Sequence, residues 1–100
     1  MEFDLLIRGG MVSEGTNAPR HLGDVGVTHG RVEAIGDLSQ AIAANVVSAV
    51  GKIVAPGFID IHTHSDTSLL TYPEADSRVR QGITTEVVGN CSYSPFPINP

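Results

Sequence analysis

At Pro56-Gly57 the residue pattern changes kind, and any fold proposed for this chain has to change with it. Before that point, β-branched and apolar runs alternate with Gly, Asn and Pro at intervals too short for helices. After it come an extended apolar run, a helix pattern with end signals and a second β-branched run. The chain therefore divides into residues 1–55 and residues 56–100.

In the first part, residues 4–8 predict a strand, and Gly9-Gly10 is a two-residue hairpin signal ahead of Met11-Val12-Ser13. Asn17, Pro19 and Gly23 mark a loop. Val25 and Val27, then Val32, Ala34 and Ile35, flank His29-Gly30 as the arms of a second hairpin. Residues 40–44 fit helix and strand equally, and residues 45–50 and 52–55 predict strands around Gly51. The expectation is a small antiparallel sheet or half-sandwich. In the second part, residues 58–62 read as extended. Thr71 and Glu74 form a capping-box pattern, Pro73 falls in the first turn, Arg78 and Arg80 lie near the negative end, and Gly82 is placed to terminate the helix. Tyr72, Ala75 and Val79 share one face of it. Residues 83–88 predict a strand ending at Gly89. Strand, helix, strand over about 30 residues is one βα unit and the next strand of a parallel sheet.

Charge and hydropathy remove several function classes. Eleven acidic against six basic residues give −5, divided as −3 in residues 1–50 and −2 in residues 51–100. With no basic patch, neither nucleic acid nor an anionic membrane is an expected partner. No window of about 18 apolar residues exists to span a bilayer, and Met1-Glu2-Phe3-Asp4 is acidic where a secretory leader is basic. One cysteine excludes an internal disulfide. The expected location is cytoplasmic. Pro95-Phe96-Pro97-Ile98-Asn99-Pro100 reads as the middle of a loop, so the chain is expected to be part of something longer.

The chemistry concentrates in Asp60-Ile61-His62-Thr63-His64 at the end of the first strand of the second part. Side chains two apart in a strand point the same way, about 6.6 Å apart along the chain. Phe58, Asp60, His62 and His64 would then share one face, and Ile59, Ile61 and Thr63 the other. Two imidazoles so placed can converge on one metal with bonds of about 2.0–2.1 Å; the bland alternative is a hydrogen-bonded histidine pair in a polar pocket. Asp60 and Asp66 can each orient a ligand by accepting a ring N–H, although Asp66 could equally cap a helical turn over residues 67–70. Cys91 follows the second strand. If the two strands are adjacent and parallel, their C-terminal ends share a rim, and Cys91 is close to His64 although they lie 27 positions apart. It is then either a thiolate ligand for zinc or a small buried hydrophobe. His21 follows a Pro-Arg loop and His29 sits at a turn, and both are expected to be solvated. Ser92 and Ser94 have no base nearby to activate them.

Pro56-Gly57-Phe58-Ile59-Asp60-Ile61-His62-Thr63-His64 resembles the metal-binding signature of the amidohydrolase superfamily, and Gly30-Arg31-Val32-Glu33-Ala34-Ile35-Gly36 resembles a hairpin of its small β-domain. Gln81-Gly82-Ile83-Thr84-Thr85-Glu86-Val87-Val88-Gly89-Asn90-Cys91-Ser92 is similar to the D-aminoacylases, the N-acyl-D-amino-acid deacylases. The one departure is Ser48-Ala49-Val50-Gly51, where relatives often carry Asp-Ala-Ser/Asn-Gly. The resemblance implies an α/β fold: a metal-dependent (β/α)8 barrel with a small β-sandwich, of which this chain holds only the N-terminal part of each. Residues 1–55 would belong to the sandwich, and residues 56–100 would be the first βα unit and second strand of the barrel.

The resemblance also implies that His62 and His64 serve one metal position and that Cys91 binds the tight zinc and can bridge to it. It implies one tight Zn2+ site with a second, weaker one. No catalytic residue is expected in this segment, because the family's general base and remaining ligands lie downstream. The implied reaction of the full-length enzyme is hydrolysis of an N-acyl-D-amino acid, a small-molecule substrate, to a carboxylate and a D-amino acid. Two other readings stand beside it: an amidohydrolase opening cyclic amides, like a dihydroorotase or hydantoinase, and a truncated segment without catalysis. A cysteine at position 91 argues against the first, since those enzymes usually bridge two metals with a carbamylated lysine.

Overall fold

In the computed structural model, residues 1–94 are described, and they fall into two units that divide between Pro56 and Gly57. The sequence's closing segment, residues 95–100, lies outside the described residues.

The first unit is a mixed sheet built around β1 (Glu2–Val12), with β2 (His21–Thr28), β3 (Arg31–Gly36), β4 (Ile42–Ser48) and β5 (Ile53–Val54). Its order is β3-β2-β1-β4, and β5 pairs the far end of β1. The hairpin expected at Gly9-Gly10 does not form. β1 runs straight through those residues, and its register against antiparallel β2 shifts between Ile7 and Gly10. Gly9 sits at φ 69 in this irregularity and donates its N–H to Asp24 Oδ1 at 2.8 Å. The glycines therefore make a bulge, in which one strand carries an extra residue past its partner. The hairpin at His29-Gly30 does form, with both residues at positive φ (51 and 71) as a tight two-residue turn requires.

A purely antiparallel sheet is also corrected, because β4 and β5 both run parallel to β1. Pairing is decided by what the long β1 offers along its free edge, and residues 42–44 of the segment ambiguous from sequence enter β4 there. Phe3, Leu6 and Ala41 form the buried core, with Ala34, Leu38 and Ala43 packed against it. Asp24 holds this corner twice, accepting the Gly9 N–H and, at 3.3 Å, the Leu38 N–H. The neighbouring turn is local: Asp37 accepts the Ser39 N–H at 3.0 Å, and that bond holds its carboxyl below the usual range.

The second unit contains β6 (Phe58–Asp60), α1 (Ser68–Thr71), α2 (Asp76–Val79) and β7 (Ile83–Glu86). As the sequence pattern predicts, β6 and β7 are adjacent and parallel, with Asp60 opposite Glu86 and the Val87 N–H donated to the Asp60 carbonyl at 2.8 Å. Of the helix expected from Thr71 to Gly82 only the four-residue α2 forms, while α1 falls on the helical turn expected over residues 67–70. Tyr72 precedes Pro73, whose ring disfavours helical backbone at the residue before it, and Tyr72 sits at φ −130, ψ 72. Ala75 follows in the left-handed region, neither turn has a side-chain cap, and so the capping box does not form. Gly82, at φ 81, does close the segment. Apolar side chains of the two strands and their extensions stay open: Ile59, Ile61, Val87 and Val88 are all exposed. Among the described residues, no helix is long and apolar enough to cross a membrane.

The core of the first unit depends on one close approach. A Cβ on Gly26 would stand 2.6 Å from the Phe3 ring, well inside contact distance. Gly26→Ala is therefore expected to destabilise the unit by about 1–3 kcal/mol through overpacking. Urea unfolding checks this, and the cost should shrink when Phe3→Leu removes the ring.

Candidate metal centre

β6 ends at Asp60, so the strand alternation invoked for His62 and His64 does not place them. They lie just beyond it, on the stretch that turns away from the sheet. Asp60 shapes the start of this stretch by accepting the His62 backbone N–H at 3.1 Å. Thr63 and Ser65, the residues on either side of His64, are the most buried in this unit, at 5% and 4% exposure.

Parallel pairing brings the end of β7 to the same rim. Beyond Glu86 the chain reaches Gly89-Asn90-Cys91-Ser92, where Asn90 and Tyr93 close a turn through a 2.9 Å bond from the Tyr93 N–H to the Asn90 carbonyl. Its two central residues, Cys91 and Ser92, both have φ 56. A left-handed conformation costs non-glycine residues of order 1 kcal/mol each, and such strain collects at functional sites. Two bonds tie this turn to the histidine stretch. Asp66 Oδ2 accepts the Gly89 N–H at 3.0 Å, and the Asn90 side-chain amide donates to the Val87 carbonyl at 2.9 Å and to the Thr63 carbonyl at 3.5 Å. Asp66 is therefore not a helix cap: Thr67 occupies that position and makes no capping bond. Its other oxygen, Oδ1, is buried without a hydrogen-bond partner among the described residues.

The outcome is a convergence of three donors. His62, His64 and Cys91 each offer a ligand atom within 4.8 Å of the others, and all three are exposed. His62 Nε2 stands 3.2 Å from Cys91 Sγ, the two imidazoles meet edge-on with centroids 5.5 Å apart, and the Tyr93 ring lies 5.8 Å from that of His64. Zinc bond lengths of about 2.1 Å to nitrogen and 2.3 Å to sulfur put two ligands of one tetrahedral ion about 3.5 Å apart. Two imidazoles and one thiol at this spacing fit such an ion. The bland alternative for Cys91, a buried small hydrophobe, fails because its side chain is exposed. His21 and His29 are exposed and distant in sequence from this rim, as expected.

Sequence reasoning missed the residues beneath the site. Glu86, Arg78, Ser65 and Thr63 join in one hydrogen-bonded group: Arg78 Nε donates to Glu86 Oε1 at 2.6 Å, and the Ser65 hydroxyl donates to Glu86 Oε2. A lone carboxylate within the β-branched run of residues 83–88 was the available signal, since a charge in such a strand needs a partner.

Residues 45–96 match the amidohydrolase family, and the chain belongs to that family. It is 48% identical over 96 residues to the D-aminoacylase of Alcaligenes xylosoxydans xylosoxydans, covering 96% of this chain and 20% of that protein. The structure superposes with TM-score 0.93, at 47% identity, on the N-acyl-D-glutamate deacylase of Bordetella bronchiseptica, crystallised with zinc and a phosphonate mimic of the tetrahedral intermediate. That match covers 97% of this chain and 20% of the other. A structure of D-aminoacylase described for its binuclear metal centre, with one-metal activation and second-metal attenuation, gives TM-score 0.90 and 48% identity over 96% of this chain and 20% of that one. The chain thus spans about a fifth of the length of the curated relatives it matches.

The clasp between the two stretches gives a direct test. Asp66→Ala removes the acceptor of the Gly89 N–H, a loss of about 1.5 kcal/mol for a bond to a charged group. Hydrogen exchange at the Gly89 amide should accelerate about tenfold, with the amides of β1 unchanged.

Proposed function

We propose that this chain carries part of the metal site of a zinc-dependent hydrolase that cleaves the amide bond of N-acyl-D-amino acids, releasing a carboxylate and a D-amino acid. The observation that carries this reading is the 3.2 Å approach of Cys91 Sγ to His62 Nε2 at the ends of two paired parallel strands. Similarity to deacylases of N-acyl-D-amino acids over nearly the whole chain supports the substrate class.

On this reading His62, His64 and Cys91 hold the metal, with Cys91 at a tight zinc position and room for a second, weaker ion. When bound, zinc supplies Lewis acidity, lowering the pKa of a coordinated water towards about 7 and polarising a carbonyl oxygen. The chain's own residues do the rest of what this segment contributes. Cys91 would hold the ion as a thiolate, a soft anionic donor. Asp60 fixes the backbone entering His62, and Asp66 and Asn90 fix the turn that presents Cys91, so the donors are held before any ion arrives. The general base and the remaining ligands are assigned, on the family likeness, to residues outside these 100. The fold this reading calls for is a (β/α)8 barrel, with residues 56–100 as its first βα unit and second strand, and a small β-sandwich to which residues 1–55 belong.

In the full-length protein, Cys91→Ala should remove most of the bound zinc while parent protein retains it, as metal analysis of both will show; undiminished zinc in the variant rejects the ligand assignment. Activity should favour N-acetyl-D-methionine over the L enantiomer. Turnover of dihydroorotate in preference to either would favour the cyclic-amide reading.

A further inference from the structure

Thr63, Ser65, Arg78 and Glu86 close a ring of hydrogen bonds that takes in the residues on both sides of His64. Arg78 Nε donates to Glu86 Oε1 at 2.6 Å, and Arg78 Nη2 donates to the Thr63 hydroxyl at 3.4 Å. The Thr63 hydroxyl donates to Ser65 Oγ at 3.4 Å, and the Ser65 hydroxyl donates to Glu86 Oε2. Each hydroxyl accepts one bond and donates the next, so the ring runs in one direction from cation to anion, an arrangement in which the bonds polarise one another. Glu86 lies at the end of β7 and its side chain is only 13% exposed.

We propose that Glu86 is a positioning residue for the metal site: through Ser65 and Arg78 it clamps the residues on both sides of His64 and so sets where that imidazole stands. Three observations combine to support this. Among the described residues of this unit Thr63 and Ser65 are the buried ones, while the histidine between them is exposed. A polar residue is buried at that depth only when its hydrogen bonds are met, and here the partners come from β7 and α2, the elements that follow the histidine stretch. His64 itself has no bond to Glu86, so the carboxylate acts on it only through its neighbours. Removing the clamp frees the backbone of residues 63–65 and leaves the Arg78 guanidinium without its carboxylate.

The inference rests on His62, His64 and Cys91 being metal ligands, and the experiment separates the two. In full-length protein, zinc affinity is measured by competition with a chromophoric chelator, the cobalt-substituted protein is examined by absorption, and folding is followed by thermal unfolding. Glu86→Gln and Ser65→Ala should each weaken zinc binding about 10–100-fold, the range for partners that orient ligands, and alter the cobalt ligand-field bands. Ser65→Thr, which keeps the hydroxyl, should restore both. Parent affinity and cobalt bands in folded Glu86→Gln or Ser65→Ala protein overturn the clamp and leave the ligand assignment standing. If Glu86→Gln does not fold, Ser65→Ala against Ser65→Thr decides alone. Parent protein without a thiolate-to-cobalt band that Cys91→Ala abolishes overturns both readings.

Discussion

The parallel pairing of β6 with β7 is the constraint on which the site depends. Strands that run the same way end on the same side, so whatever follows each strand shares a rim. The bond from the Val87 N–H to the Asp60 carbonyl sets this register at the last residues before both functional stretches. Had β7 been antiparallel, Cys91 would leave from the opposite end, and its distance of 29 positions along the chain from His62 would separate the donors rather than bring them together.

Pairing alone brings stretches of chain near each other but leaves side chains loose. The donors converge because each stretch is fastened from below by polar groups rather than by apolar packing. Asp66 reaches across to Gly89, Asn90 reaches back to Thr63, and the Glu86 ring grips Thr63 and Ser65. In the described part of this unit the buried residues are hydroxyl-bearing, and most of the large apolar side chains, Ile83 excepted, are exposed. Directional bonds suit a ligand-presenting surface, since they specify orientation as well as proximity. They are also the links most exposed to substitution, because an unmet buried polar partner costs about 1–3 kcal/mol.

The strained turn at Cys91-Ser92 fits the same logic. Two successive left-handed residues with side chains are held by the Asn90–Tyr93 bond and by the anchoring of Gly89 and Asn90 on either strand end. The sulfur is aimed by backbone geometry that the chain would not adopt unaided. The first unit shows a similar use of carboxylates: Asp24 takes two backbone N–H groups and converts a glycine pair from a turn into a bulge.

What the sequence determined by itself is what depends on neighbouring residues. The change of pattern at Pro56-Gly57, the His29-Gly30 turn, the stop at Gly82 and the strand positions around residues 25, 32, 58 and 83 were all legible, because turn chemistry and β-propensity act over a few residues. So was the nomination of His62, His64 and Cys91, since a parallel sheet follows from strand-helix-strand order. The late start of the expected helix, at Asp76 rather than Thr71, was also local, written in the proline after Tyr72, but the end signals around it pointed the other way. Only the tertiary structure decided that Gly9-Gly10 would bulge, that β4 and β5 would run parallel to β1, that Asp66 would hold Gly89 rather than cap a helix, and that Glu86 would gather Arg78 and Ser65. Each of these turns on a partner many residues away, and hydrogen-bonding groups choose such partners by which of them the completed sheet places within about 3 Å.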